Sequence, residues 1–585
     1  MFRLFILMMA FALSTASTFA KKDEITIQLI ETSDVHGAFF PYDFIDRKPM
    51  QGSMARVSTL VKQLREQHGA DNVYLFDNGD ILQGQPLSYY YNYIRLEREN
   101  IAASVLNYLK YDAATVGNHD IETGHTVYDS WIKATKCPML GANVINNATN
   151  APYLLPYTIC RKANGIKVCV IGLLTPAIPH WLEERLWEGM RFENMMDVAR
   201  TTIEQVRQTE KPDVIVGLFH SGWEGGIRTA TYEEDASRRI AEEVDGFDVI
   251  FFGHDHTPHQ SIVKNVAGRE VLCLNPANNA QRVAIAEITL KKNTQPSETQ
   301  PQAFLITKRI GQLADVRQEK IDDDFMTHFK REVEEVKAWA STEIGTFEQT
   351  IYSKDCFFGS SAFNDLILDL ELKITQADIA FNAPLMFNST IKAGAITIAD
   401  MFKLYKYENQ LYVMMMTGEE IRKYLEMSYA QWTNTMTSPD DHLLLLAPTK
   451  NDAQRLGLKN FFFNFDSAMG IDYTVDVRKP QGEKITILRM SNGESFEEHK
   501  WYKVAINSYR GNGGGELLTQ GAGIPKEELR SRIVWRSELD QRHYLMKEIE
   551  KAKHLNPQPH NNWRFVPEEW VRPAIERDRQ LLFGK

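Results

Sequence analysis

An α/β fold in at least two domains is expected from three features of the chain. It has 585 residues, more than one hydrophobic core normally spans. From about 23 to 310, strand-like apolar runs alternate with helical stretches. Five of those runs end in Asp, Asn or His, and α/β folds gather their ligands at the carboxyl ends of strands.

The five segments come in order. Ile25 to Ile30 leads into Ser33-Asp34-Val35-His36-Gly37, and Val73 to Phe76 into Asn78-Gly79-Asp80. Ala113 to Val116 leads into Gly117-Asn118-His119-Asp120. Val214 to Phe219 ends at His220-Ser221-Gly222, and Val249 to Phe252 at Gly253-His254-Asp255-His256. Between the first two, Ser53 to Gln67 is expected as a helix, with Met54, Val57, Leu60, Val61 and Leu64 at helical spacing. The pattern breaks at the polar stretch Lys291 to Gln302, read as a loop. Ala303 to Ile310 is expected as the strand that closes a domain covering 23–310. Asp322 to Ser341 has helical spacing and many charges, and is expected as the core of a linker helix over 311–345.

A second domain is expected over 346–525. Ala362 to Ile374 and Thr397 to Leu404 have helical patterns there. Leu411 to Met416, Ile471 to Val475 and Tyr502 to Ile506 have strand patterns. The remainder, 526–585, is expected as a helical tail with amphipathic helices at Ser537 to Ala552 and Glu568 to Leu582, docked as a cap.

Residues 1–20 read as a secretory signal. Arg3 supplies the positive start, Leu4 to Leu13 the apolar core and Thr18-Phe19-Ala20 a small-residue cleavage site. The apolar run is short for a membrane span. The expectation is a periplasmic or secreted monomer with no membrane span. A formal net charge of −11 argues against non-specific binding to duplex nucleic acid, which rests on Lys and Arg meeting phosphates. Five cysteines are too few for a disulfide scaffold. If Asn164-Gly165 is a two-residue hairpin turn, Ala163 pairs with Ile166 and Cys160 faces Cys169. Cα atoms at such a site lie about 4.5 Å apart, within disulfide range, so a disulfide and two reduced thiols remain equally open there.

The ligand types point to chemistry. Asp34, His36 and His256 would hold one divalent ion, and Asn118, His220 and His254 a second. Asp80 would lend an oxygen to each. Imidazole with carboxylate oxygen suits zinc, manganese or iron better than calcium. Two such ions roughly 3.5–4 Å apart form a phosphoester-hydrolysing device that lowers the pKa of a water and neutralises phosphoryl charge. His119 is left to face the phosphate as an acid or stabiliser, with Glu122 three residues on to set its tautomer.

These segments resemble the calcineurin-like metallophosphoesterases: Asp-x-His, Gly-Asp, Gly-Asn-His-Asp/Glu, a lone His after a strand, and Gly-His-x-His. The resemblance implies a four-layer αββα metallophosphoesterase sandwich with two divalent metal ions on the residues just named. Within that superfamily the chain resembles secreted two-domain nucleotidases, which implies a C-terminal α/β substrate-binding domain and a His119–Glu122 dyad. Glu122 departs mildly from the Asp often found there. Asn275-Pro276-Ala277-Asn278-Asn279 departs from a Gly-richer version.

Two C-terminal segments stand out, Leu404-Tyr405-Lys406-Tyr407-Glu408-Asn409 and Asn507-Ser508-Tyr509-Arg510-Gly511-Asn512 with the glycines after it. By sequence physics alone their tyrosines fit a core better than a ligand clamp. The resemblance makes Tyr407 and Tyr509 a base-stacking pair and Asn409 a polar contact to the base. Tyr407-Glu408-Asn409, Phe463-Asn464-Phe465-Asp466, Asn507-Ser508-Tyr509-Arg510 and Asn561-Asn562-Trp563-Arg564-Phe565 are most similar to the 2′,3′-cyclic-nucleotide 2′-phosphodiesterase/3′-nucleotidase branch. The 5′-nucleotidase branch carries an Arg for the substrate phosphate where this chain reads Asn382-Ala383-Pro384-Leu385-Met386-Phe387. The resemblance therefore implies hydrolysis of 2′,3′-cyclic nucleotides and 3′-nucleotides, with a hinge near 311–345 to bring base and metal sites together. A 5′-nucleotidase or UDP-sugar hydrolase is the alternative within the family. A non-catalytic exported nucleotide-binding protein is the alternative of another class. A metallopeptidase is disfavoured because no His-Glu-x-x-His is present.

Overall fold

The computed structural model describes residues 24–297, 300–449 and 452–584, so the signal segment lies outside the described residues. In the N-terminal half two six-stranded sheets pack face to face. The first runs in the order Phe304–Asp315, Arg282–Lys292, Glu24–Thr32, Val73–Asp77, Ala113–Thr115, Met139–Leu140. The second runs His259–Lys264, Glu270–Asn275, Val249–Phe252, Val214–His220, Lys167–Leu174, Tyr157–Arg161. Ile27, Leu29, Tyr74 and Phe76 meet Val168, Val216, Phe251 and Leu272 between the sheets, all buried. Helices Met54–His68, Ile101–Leu109 and His125–Ala134 cover one outer face, and Met195–Thr209 and Ser237–Glu243 the other. This is the expected four-layer αββα sandwich.

All five motif-bearing strands are parallel to their motif-bearing neighbours. Glu24–Thr32, Val73–Asp77 and Ala113–Thr115 run together in one sheet, and Val214–His220 and Val249–Phe252 in the other. Parallel order delivers every carboxyl end to the same edge of the sandwich, and this is how residues far apart in sequence reach one site.

Three expectations need correction. The hairpin after Tyr157 pairs Ile159 with Cys169 and Cys160 with Val168. Its turn is longer than two residues, with the N–H of Gly165 donating to the carbonyl of Lys162. A one-residue slip sends the two side chains to opposite faces of the sheet. Cys160 packs between the sheets and Cys169 under the outer helices, and both are free thiols.

The segment 311–345 is not a free linker helix. Residues up to Asp315 belong to the edge strand. The helical part splits at Phe329 into Asp323–His328 and Lys330–Ala340. Phe325, Phe329, Val333 and Val336 are buried in the core under the first sheet.

The tail is no helical cap either. Ile533–Asp540 is the edge strand of the C-terminal five-stranded sheet, whose order is Ser467–Met469, Ile379–Asn382, Trp501–Asn507, Gln410–Thr417, Ile533–Asp540. Residues Ser537 to Asp540 are therefore strand, and the helix begins at Gln541. Trp563–Val566 adds a parallel strand beside Ile471–Asp476. The helix Gln541–Ala552 is the first expected one without its opening four residues, and Glu568–Phe583 matches the expected terminal helix.

The two halves meet through a buried aromatic and ionic cluster. Tyr89 stacks on Trp339 with ring centroids 6.2 Å apart and meets Phe402 edge-on at 5.5 Å. Its hydroxyl donates to Asp540 at 2.8 Å. The Arg542 guanidinium lies 3.9 Å from the Phe402 ring centroid and donates to Glu408 at 3.0 and 3.1 Å. Arg542 and Glu408 both belong to the C-terminal half, and removing either would leave an uncompensated buried charge at this seam, a cost of about 3–5 kcal/mol. Among the described residues no helix is long and apolar enough to cross a membrane.

Candidate active site

Each ligand-bearing segment turns sharply just past its strand. Asp34, His36, Asp80, His254 and His256 have φ between 49° and 72°, the left-handed region that residues with a Cβ rarely enter. Such conformations cost of order 1–3 kcal/mol each and persist only where the surroundings over-determine them. Here they do. The N–H of Asp34 donates to Gly79 at 3.0 Å and that of His36 to Asp80 at 2.9 Å. The N–H of His254 donates to the Asp34 carboxylate at 3.0 Å. The buried Asp120 carboxylate accepts the N–H groups of Asp80, Ile81, Leu82 and Gly117 at 2.8–2.9 Å. Glycine is required at two of these turns. A Cβ at Gly117 would collide with the Asp80 carboxylate, and one at Gly253 with Ser33 and Asp34.

The result is two overlapping donor groups. Asp34, His36, Asp80 and His256 bring one ligand atom each within 4.8 Å of one another, and so do Asp80, His220 and His254. Asp80 is common to both. The His36 ring donates Nδ1–H to the carbonyl of Gln83 at 3.1 Å, so its Nε2 lone pair faces His256 Nε2 at 3.0 Å. His256 Nε2 lies 3.3 Å from Asp34. His220 donates Nδ1–H to the carbonyl of Asn78 at 2.7 Å, leaving Nε2 3.1 Å from Asn118 Oδ1 and 3.2 Å from Asp80. Burial and the neighbouring His256 push His36 down to about 3, so it is the neutral, ligand form. Burial would raise Asp34, but His256 holds it down at about 2. Imidazole lone pairs and ionised carboxylates converging on one volume fit divalent cations of the zinc, manganese or iron type.

His119 stands apart from both donor groups. Its Nδ1 is 2.6 Å from Glu122 Oε2, and its backbone N–H donates to Asp80 Oδ1 at 2.8 Å. Burial lowers its pKa, but Asp80, Glu122 and Glu408 outweigh that and bring it up to about 9.

The expected base-binding residues lie on the other wall of the same space. A cavity of about 540 Å³ is lined by Asn118, His119, Glu122 and His254 from the N-terminal half and by Tyr407, Asn409 and Tyr509 from the C-terminal half. No hinge motion is needed to bring the two sets together in this arrangement. Tyr509 meets Phe463 edge-on at 6.5 Å, and Phe463 stacks on the exposed Phe461 at 5.1 Å. These two phenylalanines were missed as site residues, although three consecutive Phe at 461–463 are a visible signal. Arg510 does not reach the cavity as a phosphate ligand. It is buried, with donations to Asp466 at 3.0 Å and to Asn464 at 2.8 Å. Leu385 of the Asn382–Phe387 segment lines the cavity, and among its described lining residues none is Lys or Arg. The segment at 275–279 keeps a left-handed backbone without glycine, at Ala277 and Asn279, and the N–H of Asn279 donates to the Asp34 carbonyl at 2.9 Å.

Residues 27–258 match the calcineurin-like phosphoesterase family, and residues 343–520 the 5′-nucleotidase C-terminal domain. The trifunctional nucleotide phosphoesterase protein YfkN of Bacillus subtilis is 26% identical over 93% of this chain, which spans only 39% of that relative. A 2′,3′-cyclic-nucleotide 2′-phosphodiesterase/3′-nucleotidase of Haemophilus influenzae is 24% identical over 93% of this chain and 88% of its own length. A Staphylococcus aureus chain solved with alpha-ketoglutarate and described as a 5′-nucleotidase shares the fold at a TM-score of 0.73, with 20% identity over 92% of this chain and 99% of that one. The chain belongs to the calcineurin-like phosphoesterases that carry a 5′-nucleotidase C-terminal domain.

Proposed function

We propose that this protein is an exported, metal-dependent phosphoesterase acting on 2′,3′-cyclic nucleotides and then on 3′-nucleotides, releasing nucleoside and phosphate. The observation that carries the proposal is the single cavity joining the metal-donor cluster to Tyr407, Asn409 and Tyr509, with no Lys or Arg along its described wall. With no Lys or Arg on the described wall, and His119 held protonated beside the donor cluster, the phosphate is left to the metal-donor end. The uncharged sugar and base are left to the rest. Two divalent ions held by Asp34, His36, Asp80, Asn118, His220, His254 and His256 would supply an activated water and neutralise phosphoryl charge. His119, oriented by Glu122, donates a proton to the departing sugar oxygen. Tyr407 and Tyr509 stack on the base, and Asn409 reads its edge. The signal pattern at 1–20 supports export, and the molecule would act as a monomer.

A substrate panel tests this reading. The kcat/KM for 2′,3′-cyclic AMP should exceed that for 5′-AMP, because the cavity wall offers no Arg to a second phosphate-binding mode. A clear preference for 5′-AMP would replace the assignment with the 5′-nucleotidase alternative. No phosphate release from any nucleotide would leave a binding protein.

The clamp has its own test. Replacing both Tyr407 and Tyr509 with Ala should raise KM for 2′,3′-cyclic AMP at least roughly tenfold, since two stacking contacts of about 1–3 kcal/mol each are lost. The loss on a small aryl phosphodiester should be much smaller. Equal losses on both substrates would return the tyrosines to a packing role.

A further inference from the structure

Glu234 belongs to none of the five segments, yet it holds one of the candidate metal histidines. It lies on the short strand Glu233–Asp235, which pairs with Gly225–Arg228 in a hairpin after His220. Its Oε1 lies 3.0 Å from Nε2 of His254. Its Oε2 accepts the N–H of Ile227 at 2.6 Å. Its backbone carbonyl accepts the hydroxyls of Thr175 at 3.0 Å and Ser221 at 2.7 Å. Both carboxylate oxygens are engaged and the main chain is pinned, so Glu234 is a fixed acceptor and not a wandering surface acid.

The tautomers around it differ. His36 and His220 each donate Nδ1–H to a backbone carbonyl and present Nε2 to the cluster. His254 is reversed: with Nε2–H directed at Glu234, Nδ1 is the nitrogen that keeps its lone pair. The bond from the His254 backbone N–H to Asp34 fixes only the main chain. Without Glu234 no hydrogen bond would set the tautomer of the ring, and only its packing against Trp181 at 5.6 Å and His220 at 5.4 Å would limit its rotation. We propose that Glu234 is a positioning residue that fixes the Nε2–H tautomer and ring plane of His254, so that Nδ1 is presented to the ion shared with His220 and Asp80. A carboxylate acceptor also makes an imidazole a stronger metal ligand than a carbonyl acceptor does. Gly226 and Ile227 of the same hairpin line the cavity, so one hairpin both sets the ring and forms part of the substrate wall. The proposal rests on the dinuclear reading of the site, not on the nucleotide assignment.

Glu234 has a competing role. Glu234, Asp235 and His254 also bring donor atoms within 4.8 Å of one another, so Glu234 could itself be a ligand. Asp235 is engaged with the N–H of Gly222 at 2.8 Å. The experiment is calorimetric titration of zinc into the metal-free full chain, for wild type, Glu234→Gln, Glu234→Ala and His254→Ala. Glu234→Ala should weaken one of two ions by about 10–100-fold and leave the other in place, the usual effect of losing a carboxylate behind a metal histidine. Glu234→Gln keeps an oxygen acceptor for Nε2–H and should stay within about threefold of wild type. His254→Ala should lose the same ion, and adding Glu234→Ala to it should cost nothing more. Wild-type binding of both ions by Glu234→Ala would overturn the proposal. So would a loss in Glu234→Gln as large as in Glu234→Ala, which would make Glu234 a ligand. If His254→Ala binds both ions normally, His254 is no ligand and this proposal falls while the dinuclear reading stands; wild type that binds at most one ion would overturn the dinuclear reading itself, whatever the nucleotide panel shows. Should Glu234→Ala fail to fold, the comparison of Glu234→Gln with His254→Ala decides alone: Gln equal to wild type supports positioning, and Gln equal to the His254 variant refutes it.

Discussion

Asp80→Ala should abolish turnover, by at least roughly 10³-fold, or about 4 kcal/mol of barrier. Asp80 is the only residue shared by the two donor groups. One of its oxygens lies 3.2 Å from His220 Nε2, and the other accepts the His119 N–H at 2.8 Å. Alanine therefore removes a donor from both ion sites and loosens the turn that carries His119. Elemental analysis of the wild type should find near two divalent ions per chain under saturating supply, and the variant should hold fewer. Full activity in wild-type protein that binds at most one ion tightly would overturn the dinuclear mechanism.

His119→Ala should cut turnover by about 10²–10⁴-fold, the range for a lost acid–base group, while metal content stays near that of the wild type. The geometry separates the two quantities. His119 lies in neither donor group, its Nδ1 is engaged with Glu122, and it lines the cavity. Its ring meets His36 edge-on at 5.6 Å, so some loosening of that neighbour is expected but not loss of an ion. Metal lost in proportion to activity would make His119 a ligand. Glu122→Gln should have a milder effect of the same kind, because the amide can still accept from Nδ1–H.

Much of the candidate site was legible because each segment writes its chemistry locally. Asp-Val-His after Ile25 to Ile30 needs only a parallel strand order to reach His254 and His256. The parallel register supplied that order. The strand patterns matched closely too, as at Val249–Phe252, where four buried apolar residues leave little choice of structure. The hairpin at Cys160 was misread because its register depends on turn length. A slip of one residue exchanges the faces of every side chain. The start of the first tail helix was misplaced for a related reason. Ser537 to Ala552 carries a helical pattern, but Gln410–Thr417 offers an unpaired edge that recruits Ile533–Asp540 as a strand.

The sequence by itself determined the two-domain α/β plan and singled out the candidate metal donors and the His119–Glu122 pair. These depend on residue types at fixed short spacings beside apolar runs. Only the tertiary structure decided which residues support them. The left-handed turns at Asp34, His36, Asp80, His254 and His256 run against the preference of every residue that adopts them. Bonds from distant segments hold them there. Glu234 beside His254, Phe463 beside Tyr509, and Arg542 between Glu408 and Phe402 likewise meet only after the chain folds. Their roles arise from contacts made across space, and no spacing along the chain encodes them.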